Sequence, residues 1–491
     1  MSPSTIYGTL AIYVLGGTLL ALVARRGVGQ GVEAYFLANR ALGGAVSALS
    51  YSATTYSAFM MVGLAGLTYR GGVGALGFEL VYLSGLALVA FFGPRFWLAG
   101  RRYHIVSPAE LLAVRYESTA LGMVVAVLST LFLVPYTAVQ LTGVGLLLRG
   151  ISGGAIPVEV GLVLATMVAV GWAWMGGLRS VAWTDALQAV VMMVTALWVT
   201  SEVLEAVGGP GELFGRLQVE RPAWLTVPGN GYFTFGTFLG LSLPWFFFSL
   251  SNPQVSQRLF APRSLVSLRR MLLGFLAFGF VYTLVSVTWG FAGLVLFPGL
   301  PNPDLVTPTV LGSGRVPALA ALLAMVGIAA AAISTVDSIL LTLSSMLSRD
   351  LFRPLRRGAA ETAELAVGKA VIPILAVLAY LFARLQLDLI AVLSVASSAG
   401  LLVVVPALVG AFYWRRGTAP GTLASVLGGG AVVLLTQFSG WRPLGLWPGV
   451  WGLLVSLGLF VGVSLLSRAP EARAREFMGT LEEELPARGV A

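Results

Sequence analysis

Thirteen stretches of the chain are apolar enough and long enough to cross a bilayer, whose hydrocarbon core takes about 20 largely apolar helical residues. They fall at about 5–24, 44–69, 73–98, 119–147, 157–176, 182–206, 234–259, 270–297, 316–346, 367–385, 387–413, 419–438 and 446–467. The polar runs between them are too short for a soluble domain. The longest polar tail, 468–491, reads as a short amphipathic or disordered end. The pattern predicts an all-α polytopic membrane protein. Residues 5–24 read as a retained helix, because Met-Ser-Pro-Ser offers no basic n-region and no small-residue cleavage site follows.

Two spans depart from the pattern. The second is dense in Ser, Thr and Tyr from Ser47 to Ser57, and the seventh carries Gly240, Pro244 and Pro253. A proline removes a backbone donor and kinks a helix. Both spans are expected to be interrupted, and they lie five spans apart. They therefore open two successive five-helix units of opposite orientation, at 44–206 and 234–413. Residues 1–43 then form an extra N-terminal helix and loop, 414–467 two peripheral helices, and 468–491 a cytoplasmic tail. Broken helices at matching positions of inverted halves point to a transporter's midplane binding site.

Charge sets the orientation. With the N-terminus outside, 23 of the 30 basic residues fall on the inner side, and only Arg70, Arg149, Arg216, Arg221, Arg315, Arg384 and Arg442 on the outer. That asymmetry favours an outside N-terminus and an inside C-terminus. It also explains the net charge of +9 without a nucleic-acid partner, since no soluble basic patch exists. The chain is 57% hydrophobic and 10% charged, against roughly a quarter charged in soluble domains. It has no cysteine and a single histidine, His104. Thiolate sites and imidazole clusters are therefore excluded, and His104, Glu110 and Asp185 form no recognisable catalytic set. The expectation is a multi-pass protein of the cell (inner) membrane that is not an enzyme and carries no cofactor.

The chemistry concentrates in the ninth span. Ala331-Ala-Ile-Ser-Thr-Val-Asp-Ser338 places Ser334 and Ser338 on one helix face, flanked by Thr335 and Asp337. Such groups are costly in hydrocarbon and default to a functional site. Sodium, a hard cation, takes oxygen ligands. If the second span unwinds near Ala53–Tyr56, the backbone carbonyls of Ala53, Tyr56 and Ala331 with the hydroxyls of Ser334 and Thr335 make a neutral five-oxygen cage. A first-shell carboxylate would hold the ion more tightly than a carrier can use. Small hydroxyls can also bond back to their own helix, and that alternative stands beside the cage.

Several stretches together carry a family likeness. They are Glu33-Ala-Tyr-Phe-Leu-Ala-Asn-Arg40, Pro108-Ala-Glu-Leu-Leu-Ala-Val-Arg-Tyr116, Gly176-Gly-Leu-Arg-Ser-Val-Ala-Trp-Thr-Asp-Ala-Leu-Gln188, Asn252-Pro-Gln-Val-Ser-Gln-Arg258 and the ninth-span motif. In this order the chain resembles the sodium/solute symporter family, which includes sodium–glucose, sodium–proline and sodium–pantothenate carriers. The resemblance implies a leucine-transporter-type inverted-repeat fold, sodium as coupling ion, and a main sodium site coinciding with the cage above. It also implies a second ion or proton site at Asp185, Asp337 and Ser338, where Asp337 replaces a serine of some members. Asp185 alone could equally be a solvated acid at a helix N-terminus.

The solute-site candidates are Thr55, Ser57, Glu79, Tyr136, Gln140, Trp245, Ser249 and Pro253. By resemblance, Trp245 and Pro253 match positions in the proline carriers, and Glu79 is what persists of the sugar carriers' polar set. Met60 and Trp245 replace sugar-binding polar residues, so a sugar fits poorly. Glu79 either satisfies neighbouring backbone or is neutral; Tyr136 and Gln140 either line the pocket or bond between helices. The expected partners are a small organic solute (an amino acid such as proline, a monocarboxylate or a pantothenate-like molecule), sodium and the lipid bilayer. Oligomeric state is left open. A proton-coupled symporter and a transporter-like membrane sensor are the competing readings.

Overall fold

The computed structural model describes residues 1–26, 29–385 and 390–489. Among these no β-strand occurs, and helices account for nearly all of the ordered backbone. Local sequence explains many helix starts. Ser107 Oγ accepts from Glu110 N at 2.9 Å, Ser118 Oγ from Leu121 N at 3.2 Å, Ser264 Oγ from Ser267 N at 3.1 Å, and Thr418 Oγ1 from Gly421 N at 3.1 Å. Each satisfies one of the four backbone donors that a helix start leaves free.

The helices that position the site are α1 (Pro3–Arg25), α2 (Gly44–Thr55), α3 (Ala65–Gly71), α4 (Gly74–Ser84), α5 (Leu86–Arg102), α6 (Pro108–Tyr116) and α7 (Thr119–Ile151). After them come α8 (Val158–Ala206), α9 (Phe235–Phe246), α10 (Phe248–Ser251), α11 (Pro253–Ser256), α12 (Leu265–Leu296) and α13 (Ala318–Met346). The chain ends in α14 (Glu361–Ala383), α15 (Ile390–Leu401), α16 (Val405–Tyr413), α17 (Ala419–Ser439), α18 (Pro448–Leu466) and α19 (Glu471–Ala487).

Ten helices among the described residues are long and apolar enough to cross a membrane. The expected separate spans at 157–176 and 182–206 form one 49-residue run, α8, and the loop between them is reduced to Gly177 at φ 58°, ψ −155°. A straight helix of that length would measure about 74 Å at 1.5 Å per residue, far beyond one bilayer, so Gly177 joins two passes. A side chain there would meet the Tyr35 carbonyl, and the left-handed φ favours glycine. The span expected from 387 begins, within the described residues, at Ile390.

Both spans expected to break do so. Helix α2 stops at Thr55, Tyr56 turns to φ −87°, ψ 91°, and a π-turn at Phe59–Leu64 leads into α3. The seventh span is divided among α9, α10 and α11, with Asn252 extended at φ −89°, ψ 113°. Helix α13 lies at the centre. Its apolar window is 89% buried against 22% for α1, which marks α13 as core and α1 as a helix facing lipid.

The tail is a docked helix. Phe477, Met478, Leu481 and Leu485 of α19 are buried. Phe477 stacks on Tyr103 at 5.2 Å, and Arg473 Nε donates to the Val114 carbonyl at 3.1 Å. On the same side Arg40 donates to the Ile105 carbonyl at 2.9 Å and pairs with Glu33. Burial lowers the Arg40 guanidinium from its ordinary value, and Glu33 opposes that drop.

Candidate functional site

The break after α2 faces the middle of α13. Ser334 Oγ donates to the Ala53 carbonyl at 2.9 Å and to the Ala331 carbonyl at 3.0 Å. Thr335 Oγ1 donates to the Thr54 carbonyl at 3.1 Å and to Ala331 at 3.1 Å. Four of the five expected cage residues therefore converge. Thr335 reaches the Thr54 carbonyl, which sequence reasoning passed over, and neither hydroxyl bonds the Tyr56 carbonyl; helix α2 ends at Thr55, within the expected window. Ala53 and Thr54 are free to accept because the residues four ahead, Ser57 and Ala58, have left the helix.

The break is stitched by other candidates. Gln140 Oε1 of α7 accepts from Ala58 N at 3.1 Å, and Ser57 Oγ accepts from Phe59 N at 3.2 Å. Gln140 thus bonds between helices. Thr55 Oγ1 donates back to the Tyr51 carbonyl at 2.7 Å. Room for the Tyr56 ring comes from Gly279 of α12, where a Cβ would lie 2.1 Å from the phenol oxygen.

Next to the cage lies a buried charged cluster. Asp185 sits within α8, fully buried, and is not a helix-capping acid. Arg258 Nη2 donates to Asp185 Oδ2 at 3.0 Å. Ser50 Oγ donates to the same oxygen at 2.8 Å, and Thr54 Oγ1 lies 3.4 Å from it. Arg258 also donates to Ser50 Oγ and Ser338 Oγ, and Ser338 Oγ reaches Asp337 Oδ1 at 3.4 Å. Asp185 Oδ1 and Asp337 Oδ2 have no hydrogen-bond partner. Two carboxylates face one guanidinium here, so the cluster has capacity for one more positive charge. Arg258 stands in the Asn252–Arg258 stretch that carries the family likeness, but is not among the site residues expected from the sequence.

The remaining candidates gather between the two breaks. Trp245 packs on Phe59, Phe78 and Phe248, with ring centroids 5.1, 5.8 and 5.0 Å away. Tyr136 is buried against Phe248 at 6.1 Å, and Pro253 opens α11 just after extended Asn252. Glu79 is buried and bonds no backbone group, and Ser249 is buried beside the phenols of Tyr51 and Tyr82. No group of three or more His, Cys, Asp or Glu converges as a metal-binding set among the described residues.

The profile of the sodium:solute symporter family matches residues 35–429. The sodium/pantothenate symporter of Escherichia coli (strain K12) is 27% identical over 475 residues, covering 94% of this chain and 96% of that protein. The sodium/proline symporter of the same organism is 27% identical over 492 residues, covering 94% and 93%. Among solved structures, a Na+-coupled sialic acid symporter in a substrate-bound outward-open state superposes with a TM-score of 0.79 at 20% identity, over 95% of this chain and 98% of that one. Mhp1, a nucleobase-cation-symport-1 family transporter, does so at 0.56 and 14%, over 90% and 98%. The all-helical fold is therefore of the leucine-transporter type.

Proposed function

The chain belongs to the sodium:solute symporter family, and from that premise we propose how its residues divide the work of transport. It is a multi-pass membrane protein that couples a solute to sodium, and it is not an enzyme. In the proposal, sodium is held by the carbonyls of Ala53, Thr54 and Ala331 and the hydroxyls of Ser334 and Thr335, with the Tyr56 carbonyl at the edge of the set. The observation that carries this is the convergence of both hydroxyls on carbonyls freed by the break in α2. Those atoms bond one another at 2.9–3.1 Å. Sodium would replace weak hydrogen bonds rather than demand a preformed void, and a neutral cage lets it leave again.

Solute binds between the breaks, beside Trp245, Tyr136, Glu79 and Ser249. The solute classes carried from the relatives are amino acids such as proline, and pantothenate-like or other monocarboxylates. The cluster of Asp185, Asp337 and Ser338 takes a second cation, sodium or a proton. Repeats at 44–206 and 234–413, thirteen passes and an outside N-terminus complete the reading. The Met1 ammonium donates to the Ile151 carbonyl at 3.0 Å, so the N-terminus and the end of α7 lie on one side of the membrane, as thirteen alternating passes require.

Energy suffices with one ion. At 100 mV a sodium gains about 2.3 kcal/mol, and a tenfold gradient adds about 1.4. Together these support accumulation of a neutral solute by roughly a few hundred-fold. The test is uptake by proteoliposomes of the Ser334→Ala/Thr335→Ala double variant. Each lost ligand to a charge is worth about 1.5–3 kcal/mol, so sodium affinity falls by roughly a hundredfold or more. Undiminished sodium stimulation overturns the cage. Uptake without sodium that follows pH would favour the proton reading.

A further inference from the structure

Three helices that are mostly exposed along their apolar lengths, α1, α8 and α14, come together around a basic pocket. On α1, exposed Leu22 and Val23 give way to Arg25; on α8, exposed Trp174 gives way to Met175 and Gly176; on α14, Lys369 comes shortly before exposed Ile374. Exposed apolar side chains that yield to charge within about a turn or two mark the edge of the hydrocarbon, and an exposed tryptophan is at home at headgroup depth. Arg25, Gly31, Tyr35, Gly176, Glu361 and Lys369 line a cavity of about 490 Å³ at this level. Ligand pockets in general measure roughly 300–1,000 Å³.

The charges of the lining are uneven. Lys369, the only lysine in the chain, holds Nζ 5.0 Å from the centre of the Tyr35 ring. Tyr35 is buried, and its Oη donates to the Ala173 carbonyl at 2.9 Å, which fixes the ring. Among the described residues, neither Arg25 nor Lys369 takes part in an ion pair. The acid in the lining, Glu361, accepts from Val32 N through Oε1 at 2.7 Å. Its neighbours in sequence and space, Glu33 and Glu364, are committed to Arg40 and Arg349. Two cations therefore face the cavity with no carboxylate of the chain paired to either. Lys and Arg side chains only donate, so the pocket calls for an acceptor. Phosphate oxygens are the strong partners of both. Because the cavity lies where lipid-facing helices end, an anion tethered to acyl chains suits it better than one free in solution.

We propose that this pocket binds the phosphate of an anionic phospholipid, with Arg25 and Lys369 as its ligands and the Tyr35 ring beside them. The acyl chains then lie along the exposed faces of α1 and α14. The site stands apart from the ion cage and from solute binding. With the N-terminus outside, it belongs to the inner leaflet.

The test uses the purified full-length chain in nanodiscs of phosphatidylcholine with increasing fractions of phosphatidylglycerol. An amine-reactive reagent labels Lys369 and the Met1 amine, and peptide mass spectrometry follows the two separately. Expected is a saturable, several-fold slowing of Lys369 labelling relative to Met1, whose rate reports surface charge alone. Arg25 is exposed and unpaired, so Arg25→Gln leaves the fold intact. It should raise the lipid fraction that gives half-protection about fivefold, the worth of one basic residue beside an anionic lipid. Thermal unfolding gives a second reading, in which phosphatidylglycerol stabilises the wild type and stabilises Lys369→Met less. Equal labelling in the two lipids, slowing shared fully by Met1, or protection unchanged in Arg25→Gln overturns the inference. Equal protection by glycerol 3-phosphate in phosphatidylcholine nanodiscs overturns it too, since the pocket would then take soluble anions rather than lipid.

Discussion

Asp185 and Glu79 are both carboxylates sealed inside the helix bundle, and they are held in opposite ways. Asp185 has a guanidinium at 3.0 Å and a serine hydroxyl at 2.8 Å on one oxygen. Glu79 has nothing on either oxygen. The first is answered by the chain's own residues and serves to hold α2, α8 and the end of the broken seventh span together. The second lies buried and unpaired between the breaks. One oxygen of Asp185 is held by the chain's own residues, and Asp185 Oδ1 and Asp337 Oδ2 are left over for the proposed second cation. The ion cage lies between these extremes, since its neutral oxygens bond each other and can still be drawn apart.

The sharpest way to break this contrast is to unpair Asp185. Arg258→Met leaves its carboxylate buried without a counter-charge, and removing one partner of a buried pair costs about 3–5 kcal/mol. Thermal unfolding in detergent should show that loss. Adding Asp185→Leu should restore most of it, because an apolar replacement of the whole pair is often neutral. A single variant as stable as the wild type would mean that the pair does not hold the core.

How much of this was readable beforehand follows from what each signal depends on. Hydrophobic runs located the spans because twenty apolar residues in a row have few other uses. The polar density of Ser47–Ser57 and the prolines of the seventh span located the breaks, because both weaken the backbone ladder locally. The hydroxyl pair Ser334–Thr335 was legible for the same reason: its residue types are costly where they stand. Partner choice was not legible. The expected window for the break contained its observed end at Thr55, but which of the freed carbonyls each hydroxyl meets depends on how α2 and α13 pack, and helix ends are the least determined part of a pattern. Arg258 looked like any inner-side arginine because charge counting ignores which way a side chain points. The tail's five buried apolar residues gave only an amphipathic face, and what it docks on is a tertiary fact.

A smaller effect of opposite sign should come from Glu79. Glu79→Met keeps a side chain of similar length and removes an unpaired buried group, whose desolvation costs about 1–3 kcal/mol. The variant should therefore unfold at higher temperature than the wild type, by about that free energy. Methionine at position 258 destabilises and methionine at position 79 stabilises, and the pair of signs is the comparison in experimental form. A fall in stability at position 79 would show that Glu79 has a structural partner after all.

The smallest effect belongs to Thr54, which takes part in two sites through two different atoms. Its hydroxyl bonds Ser338 Oγ at 3.0 Å and approaches Asp185 at 3.4 Å, whereas its carbonyl accepts from Thr335 Oγ1 in the ion cage. Thr54→Val removes the hydroxyl and keeps the shape and the carbonyl. One neutral hydrogen bond is worth about 0.5–1.5 kcal/mol, so stability should drop by that amount, with sodium affinity unchanged in the same thermal titration. If sodium affinity falls along with stability, the charged cluster and the cage act as one site, and the line drawn between a paired architecture and an exchangeable ion site has to move to include the whole of α2.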